Sequence, residues 1–111
     1  MTAYASTKGG LDALTRQMAL DYGKYQIRVN SVGPSTVDTP MMRETFENLE
    51  NPEEALEDSL RYIPMGRFGK IDDIANACLF FSSDESTFIS GQTIIIDGGQ
   101  INKVARPLDF D

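Results

Sequence analysis

Two side chains near the start of the sequence have the types and spacing to move a proton. Tyr4 and Lys8 stand four residues apart, so on a helix they share a face and can meet. A free phenol has a pKa of about 10 and holds its proton near neutrality. An ammonium within reach favours the phenolate, and the amino end of a helix adds positive potential in the same sense. A tyrosine so placed can donate a proton to a carbonyl oxygen, or accept one from an alcohol, with a gain of roughly 10²–10⁴ in rate. Taken alone, Tyr-x-x-x-Lys is as readily a solvated helix face.

Other chemistries are closed off by composition. The 111 residues include no histidine and one cysteine, Cys78. A Ser-His-Asp triad, a Cys-His dyad and a histidine-ligated metal therefore cannot be built, nor can an intrachain disulfide. Cys78 falls in an apolar helical pattern and is expected as a small buried hydrophobe. Proton transfer falls to carboxylates, Lys or Tyr. The formal charge of −7 argues against nucleic acid and against anionic membrane surfaces. No apolar stretch approaches the ~20 residues of a membrane span, and the N-terminus lacks a signal pattern, so a cytoplasmic location is expected. At 41% hydrophobic, the chain can fold around a core.

The elements that must position the pair follow from periodicity. Leu11, Leu14, Met18 and Tyr22 recur at helical spacing and share one face, with Gly23 as a stop. Ile27–Val32 alternates apolar and polar residues as a strand does, ending at Gly33-Pro34. Thr39-Pro40 reads as an N-cap and first helical position, opening a short helix through Met42, Phe46 and Leu49. Asn51-Pro52-Glu53-Glu54 repeats that opening in capping-box fashion, for a helix carrying Leu56 and Leu60 that ends before Pro64. Asp72 and Asp73 stand in the first turn of another helix, with Ile71, Ile74, Ala75, Cys78 and Phe81 on its apolar face. Thr93–Ile96 is a β-branched run suited to a strand buried on both faces of a parallel sheet. The order is that of an α/β fold. Two strands leave an edge of Ile27–Val32 unpaired, so the chain is expected to be incomplete on its own.

Here the sequence resembles the short-chain dehydrogenases/reductases. The likeness begins at Tyr4-Ala5-Ser6-Thr7-Lys8-Gly9-Gly10-Leu11 and continues through Thr15, Met18-Ala19-Leu20 and Ile27–Val32. It resumes at Pro34, Val37–Met41 and Ile63–Gly69, then at Asp72–Ala75, Phe81–Asp84, Gly91-Gln92 and Asp97-Gly98-Gly99. The motifs keep the family's order and spacing over residues 3–99.

The resemblance implies the C-terminal portion of a Rossmann-like doubly wound parallel sheet over residues 1–99, with a mobile substrate lid at 40–64 and a C-terminal arm at 100–111. It implies an NAD- or NADP-dependent oxidoreductase interconverting a secondary alcohol, polyol or sugar and its ketone, with a 3-oxoacyl thioester as the alternative substrate. Tyr4 would be the acid/base, and Lys8 would bind the nicotinamide ribose and make the Tyr4 proton labile. Pro34, Val37 and Thr39 would hold the carboxamide and nearby phosphate, and Met41, Met42 and Met65 would line the substrate pocket. Phe46 is expected in ordinary packing. The full-length form is expected to be a homo-oligomer, a dimer or tetramer.

Several family features have no counterpart in the sequence. No glycine-rich phosphate loop follows a strand, and the serine that shares the substrate oxygen has no place with only three residues before Tyr4. The acid or arginine that selects NAD or NADP lies near the second strand of such folds, so that choice stays open. Ser35 follows Pro34 where the family has glycine, either weakening the nicotinamide contact or donating a hydrogen bond to it. These 111 residues alone are expected to be inactive with little cofactor affinity. The competing expectations are a non-catalytic module that joins intact relatives, or a truncated gene product.

Overall fold

The computed structural model describes residues 2–102; the greater part of the expected C-terminal arm, 103–111, lies outside them. The elements are α1 (Thr2–Gly23), β1 (Ser31–Pro34), α2 (Pro40–Glu47), α3 (Pro52–Leu60), α4 (Ile71–Ser82) and β2 (Thr93–Ile96), with single 3₁₀ turns at Asp84–Ser86 and Gln100–Asn102. The two strands pair as a sheet. The amide of Ser31 donates to Gln92 and that of Ser35 to Ile96; both partners advance by four, the register of a parallel pair. The α/β expectation is met.

The chain divides into two compact units. Among the described residues, one holds 2–33 together with Asn76–Ile94; the other holds Pro34–Ala75 and 95–102.

In the first unit α1 is covered at Asp12, Thr15, Met18 and Ala19, of which Thr15 is buried. Of the four residues whose spacing placed them on one face, Met18 is among the covered. Leu11 and Leu14 are 52% and 51% exposed, because the covered stripe lies one residue, about 100°, further round the helix. The chain from Ile27 to Asn30 also departs from expectation, since the ladder begins only at Ser31. Over Val29 and Asn30, side chains supplement a single backbone bond: the Gly91 amide donates to Val29 O at 2.7 Å, the Val29 amide donates to Ser90 Oγ, and the Asn30 carboxamide donates to Ile89 O and accepts from the Gln92 amide. The Arg28 guanidinium donates to Phe81 O at 2.6 Å and Ser83 O at 3.1 Å, satisfying carbonyls at the end of α4 that lack helical partners. It also donates to the hydroxyl of buried Ser86. Cys78 is exposed rather than buried.

In the second unit Thr39 Oγ1 accepts from the Met42 amide at 3.2 Å, and Pro40 opens α2 as predicted. Asn51 makes no side-chain cap bond, so the expected capping box is absent and Glu53 and Glu54 act only on the helix dipole. At α4, Asp73 reaches back to the Lys70 amide at 2.7 Å, which is the acidic half of a capping box. Val37 and Gly69 form a parallel bridge, and Phe46 and Phe68 pack with ring centroids 6.3 Å apart, so Phe46 is a packing residue as expected. Ile63, 2% exposed, is the buried hydrophobic residue among those described. It lies under Gly98, whose φ of +62° suits glycine and where a Cβ would stand 2.7 Å from Ile63 Cγ2.

β2 is not buried on both faces: Ile94 and Ile95 are exposed. Double burial requires further layers, and a two-stranded sheet does not supply them.

Candidate active site

α1 brings Tyr4 and Lys8 onto one face one turn apart, as their spacing requires. The Lys8 ammonium lies 5.4 Å from the centroid of the Tyr4 ring, within cation–π reach. Tyr4 is 63% exposed, so among the described residues no packed protein covers the pair. Among the described residues neither the phenol oxygen nor the ammonium has a hydrogen-bond partner. The backbone beneath them is tied locally, with Thr7 Oγ1 donating to Tyr4 O at 2.8 Å. The arrangement offers a proton and a cation side by side to whatever lies above the helix.

The remaining sequence-predicted residues belong to the second unit. Pro34, Val37 and Thr39 fall on the segment leaving the carboxyl end of β1, where open α/β sheets bind ligands. Val37 is held by the Asp38 amide donating to Gly69 O at 2.8 Å. Asp38 takes a bidentate grip from Arg43 at 2.7 and 2.8 Å, and that guanidinium holds its carboxyl below the ordinary value. Ser35 donates its hydroxyl to the Gln100 carboxamide, so its side chain is engaged with its own unit.

The three methionines are not brought together. Met42 lines a cavity of about 340 Å³ with Arg43, Phe46, Leu56 and Phe68. Met65 lines another, of about 250 Å³, with Thr36, Ile63, Arg67 and Ile96. Met41 borders neither of these and is 79% exposed. Asp12 and Gln100 did not stand out in the sequence. The signal for Asp12 was its place one turn beyond Lys8; Gln100 carried none. Among the described residues no group of three metal-ligating side chains occurs, and no helix is long and apolar enough to cross a membrane.

A sequence profile of a family described as enoyl-(acyl carrier protein) reductase matches residues 1–100. The solved structure of a short chain dehydrogenase family protein from Francisella tularensis matches with a TM-score of 0.85 at 38% identity, over 91% of this chain and 44% of its own. The chain belongs to the short-chain dehydrogenase/reductase family. Its similarity extends to the 3-oxoacyl-[acyl-carrier-protein] reductase of Thermotoga maritima, 42% identical over 100 residues, which are 90% of this chain and 38% of that protein. L-xylulose reductase of Mus musculus is 43% identical over 98 residues, 88% and 38% of the two chains. This short-chain dehydrogenase/reductase chain thus spans about two-fifths of the length of the relatives it matches.

Proposed function

We propose that this chain carries the proton-transfer half of an NAD- or NADP-dependent oxidoreductase that interconverts a secondary alcohol and a ketone. The observation that carries the reading is the Tyr4–Lys8 pair, one turn apart on an uncovered face with the ammonium 5.4 Å from the ring. A bound nicotinamide would supply or accept the hydride. Tyr4 would give its proton to the carbonyl oxygen in reduction and take it back in oxidation. Lys8 would stabilise the phenolate and donate to the ribose hydroxyls, for which its ammonium is unengaged among the described residues. Backbone groups of Pro34, Val37 and Thr39 would hold the carboxamide; the Thr39 hydroxyl is already committed to the Met42 amide. Met42 and Met65 would border the substrate, and residues 40–64 would act as its lid.

The substrate is a small polyol, sugar or simple ketone. The likeness to a 3-oxoacyl-[acyl-carrier-protein] reductase favours a 3-oxoacyl thioester as the second candidate.

The test is a chimera in which residues 1–100 replace the matching segment of the Thermotoga maritima relative, assayed with NADH and NADPH against ketoses and 3-oxoacyl thioesters. The expected result is cofactor-dependent ketone reduction that Tyr4→Phe lowers about 10²–10⁴-fold in kcat. A folded, cofactor-binding chimera whose turnover ignores that substitution would sink the reading.

A further inference from the structure

We propose that Asp12 is a positioning residue which, through Thr93, sets the rotation of α1 about its axis and so the placement of Tyr4 and Lys8. The inference rests on the proton-relay reading and adds what holds the relay in place.

The covered stripe of α1 is made of Asp12, Thr15, Met18 and Ala19, and little in it is directional. Met18 and Ala19 pack without geometry of their own. The Thr15 hydroxyl is spent within the helix, on Leu11 O at 2.8 Å. Asp12 differs. Its Oδ1 accepts from Thr93 Oγ1 at 2.5 Å while its Oδ2 accepts from Arg16 at 3.0 Å. Among the described residues, the Thr93 bond is the one hydrogen bond between α1 and any element outside that helix and its following turn. Arg16 holds the carboxylate from the other side, so the rotamer is fixed as well as the bond. Both interactions favour the ionised form: the carboxyl is held below its ordinary value by the Thr93 bond first and Arg16 second.

A second contact gives the bond leverage. Gly91, at φ +76°, approaches the same stripe: a Cβ there would stand 3.3 Å from that of Ala19. Ala19 and Asp12 are seven residues apart, two turns or about 10 Å, and Gly91 and Thr93 are two apart along the chain. The covered stripe therefore meets the Gly91–Thr93 segment twice, by close approach at Ala19 and by a hydrogen bond at Asp12. Lys8 and Tyr4 follow Asp12 at intervals of one turn beyond that bond.

Rotation is the freedom that matters. With side chains, a helix is about 5–6 Å in radius, so a turn of 20° moves a group at its rim by about 2 Å. A misplacement of about 1 Å at a reacting group can cost about 10²-fold in rate. The close approach of Gly91 to Ala19 has no direction of its own; the Asp12–Thr93 bond is directional and opposes such a turn.

Cys78, exposed and the sole cysteine, allows a direct measurement on the 111-residue chain. With a nitroxide on Cys78, paramagnetic broadening of the Tyr4 and Lys8 side-chain signals reports their placement within this unit. Thr93→Val is expected to change that broadening at least twofold, and Thr93→Ser, which keeps the hydroxyl, to preserve it. Should Thr93→Val fail to unfold cooperatively in urea, Asp12→Ala makes the same comparison with a better helix former at the site. Unchanged broadening in the Val or Ala variant, or an equal change in the Ser variant, would overturn the proposal.

In the chimera described above, Asp12→Ala should lower kcat at least tenfold with the ketone KM unchanged. An unchanged kcat there, where Tyr4→Phe is inactive, would also overturn the positioning role. If Tyr4→Phe itself has no effect, the proton-relay reading falls, while the broadening still judges the Asp12–Thr93 bond.

Discussion

Asp73 shows what one residue's bonds imply for stability. Its carboxylate accepts from Arg67 Nη1 at 2.7 Å and Nη2 at 3.3 Å, and from the Lys70 amide at 2.7 Å. The Arg67 bonds first and the Lys70 amide second bring its pKa down to about 2 from an ordinary 3.8. A carboxyl with a depressed folded-state pKa contributes stability that is complete above its unfolded value, and that is lost as pH falls through the folded one. The advantage of the wild type over Asp73→Asn should therefore be constant above about pH 5 and shrink between pH 4 and 2. Urea midpoints across that range measure it; a gap that persists unchanged at pH 2 would contradict the assignment. The effect is modest because the pair is open to solvent. At this scale, what the sequence revealed was local. Thr39 with Met42, Tyr4 with Lys8, and Asp73 in its first turn are all neighbours along the chain. The partners of Arg28 and Ser35, and the Thr93 partner of Asp12, lie more than fifty residues away, and no spacing announces them.

For the elements, the capping signal at Thr39 held, whereas the capping box at Asn51 and the burial expected of the Thr93–Ile96 run did not. Thr39-Pro40 opens α2 because a side-chain oxygen and a residue lacking N–H satisfy the same geometric need. Thr39→Ala should destabilise that turn by about 1 kcal/mol while Thr39→Ser retains most of the cap, read as faster amide exchange at Met42 in the alanine variant alone. Equal exchange in both would show that the cap contributes nothing. The Thr93–Ile96 run suits a strand buried on both faces, yet Ile94 and Ile95 are exposed, as are Leu11 and Leu14 on α1. Periodicity records the cover a sequence can accept; whether that cover is present depends on elements elsewhere. The alternation at Ile27–Val32 misled differently, because Asn30 and Ser90 offer the backbone partners that end the ladder at Ser31.

At the scale of the molecule, the question is what these residues can hold without the other three-fifths of their relatives' length. A dinucleotide needs a seat for its pyrophosphate, most simply free amides at a helix N-terminus where the dipole favours an anion. Of the helices after α1, α2 begins with Pro40 under the Thr39 cap, α3 with Pro52, Glu53 and Glu54, and α4 with Asp72 and Asp73. Proline offers no amide and the carboxylates repel phosphate, on a chain of net charge −7. What Tyr4, Lys8 and the segment after β1 offer belongs to the nicotinamide end, too few contacts to offset the freedom lost on binding. Titrating NADH or NADPH with the purified chain should therefore give no saturating fluorescence change up to about 1 mM, where binding is worth only about 4 kcal/mol. The chimera should bind where the chain alone does not. A micromolar isotherm for the chain alone would mean that the carboxylates at α3 and α4 are not the barrier described here, and that the phosphates find a seat elsewhere on these residues.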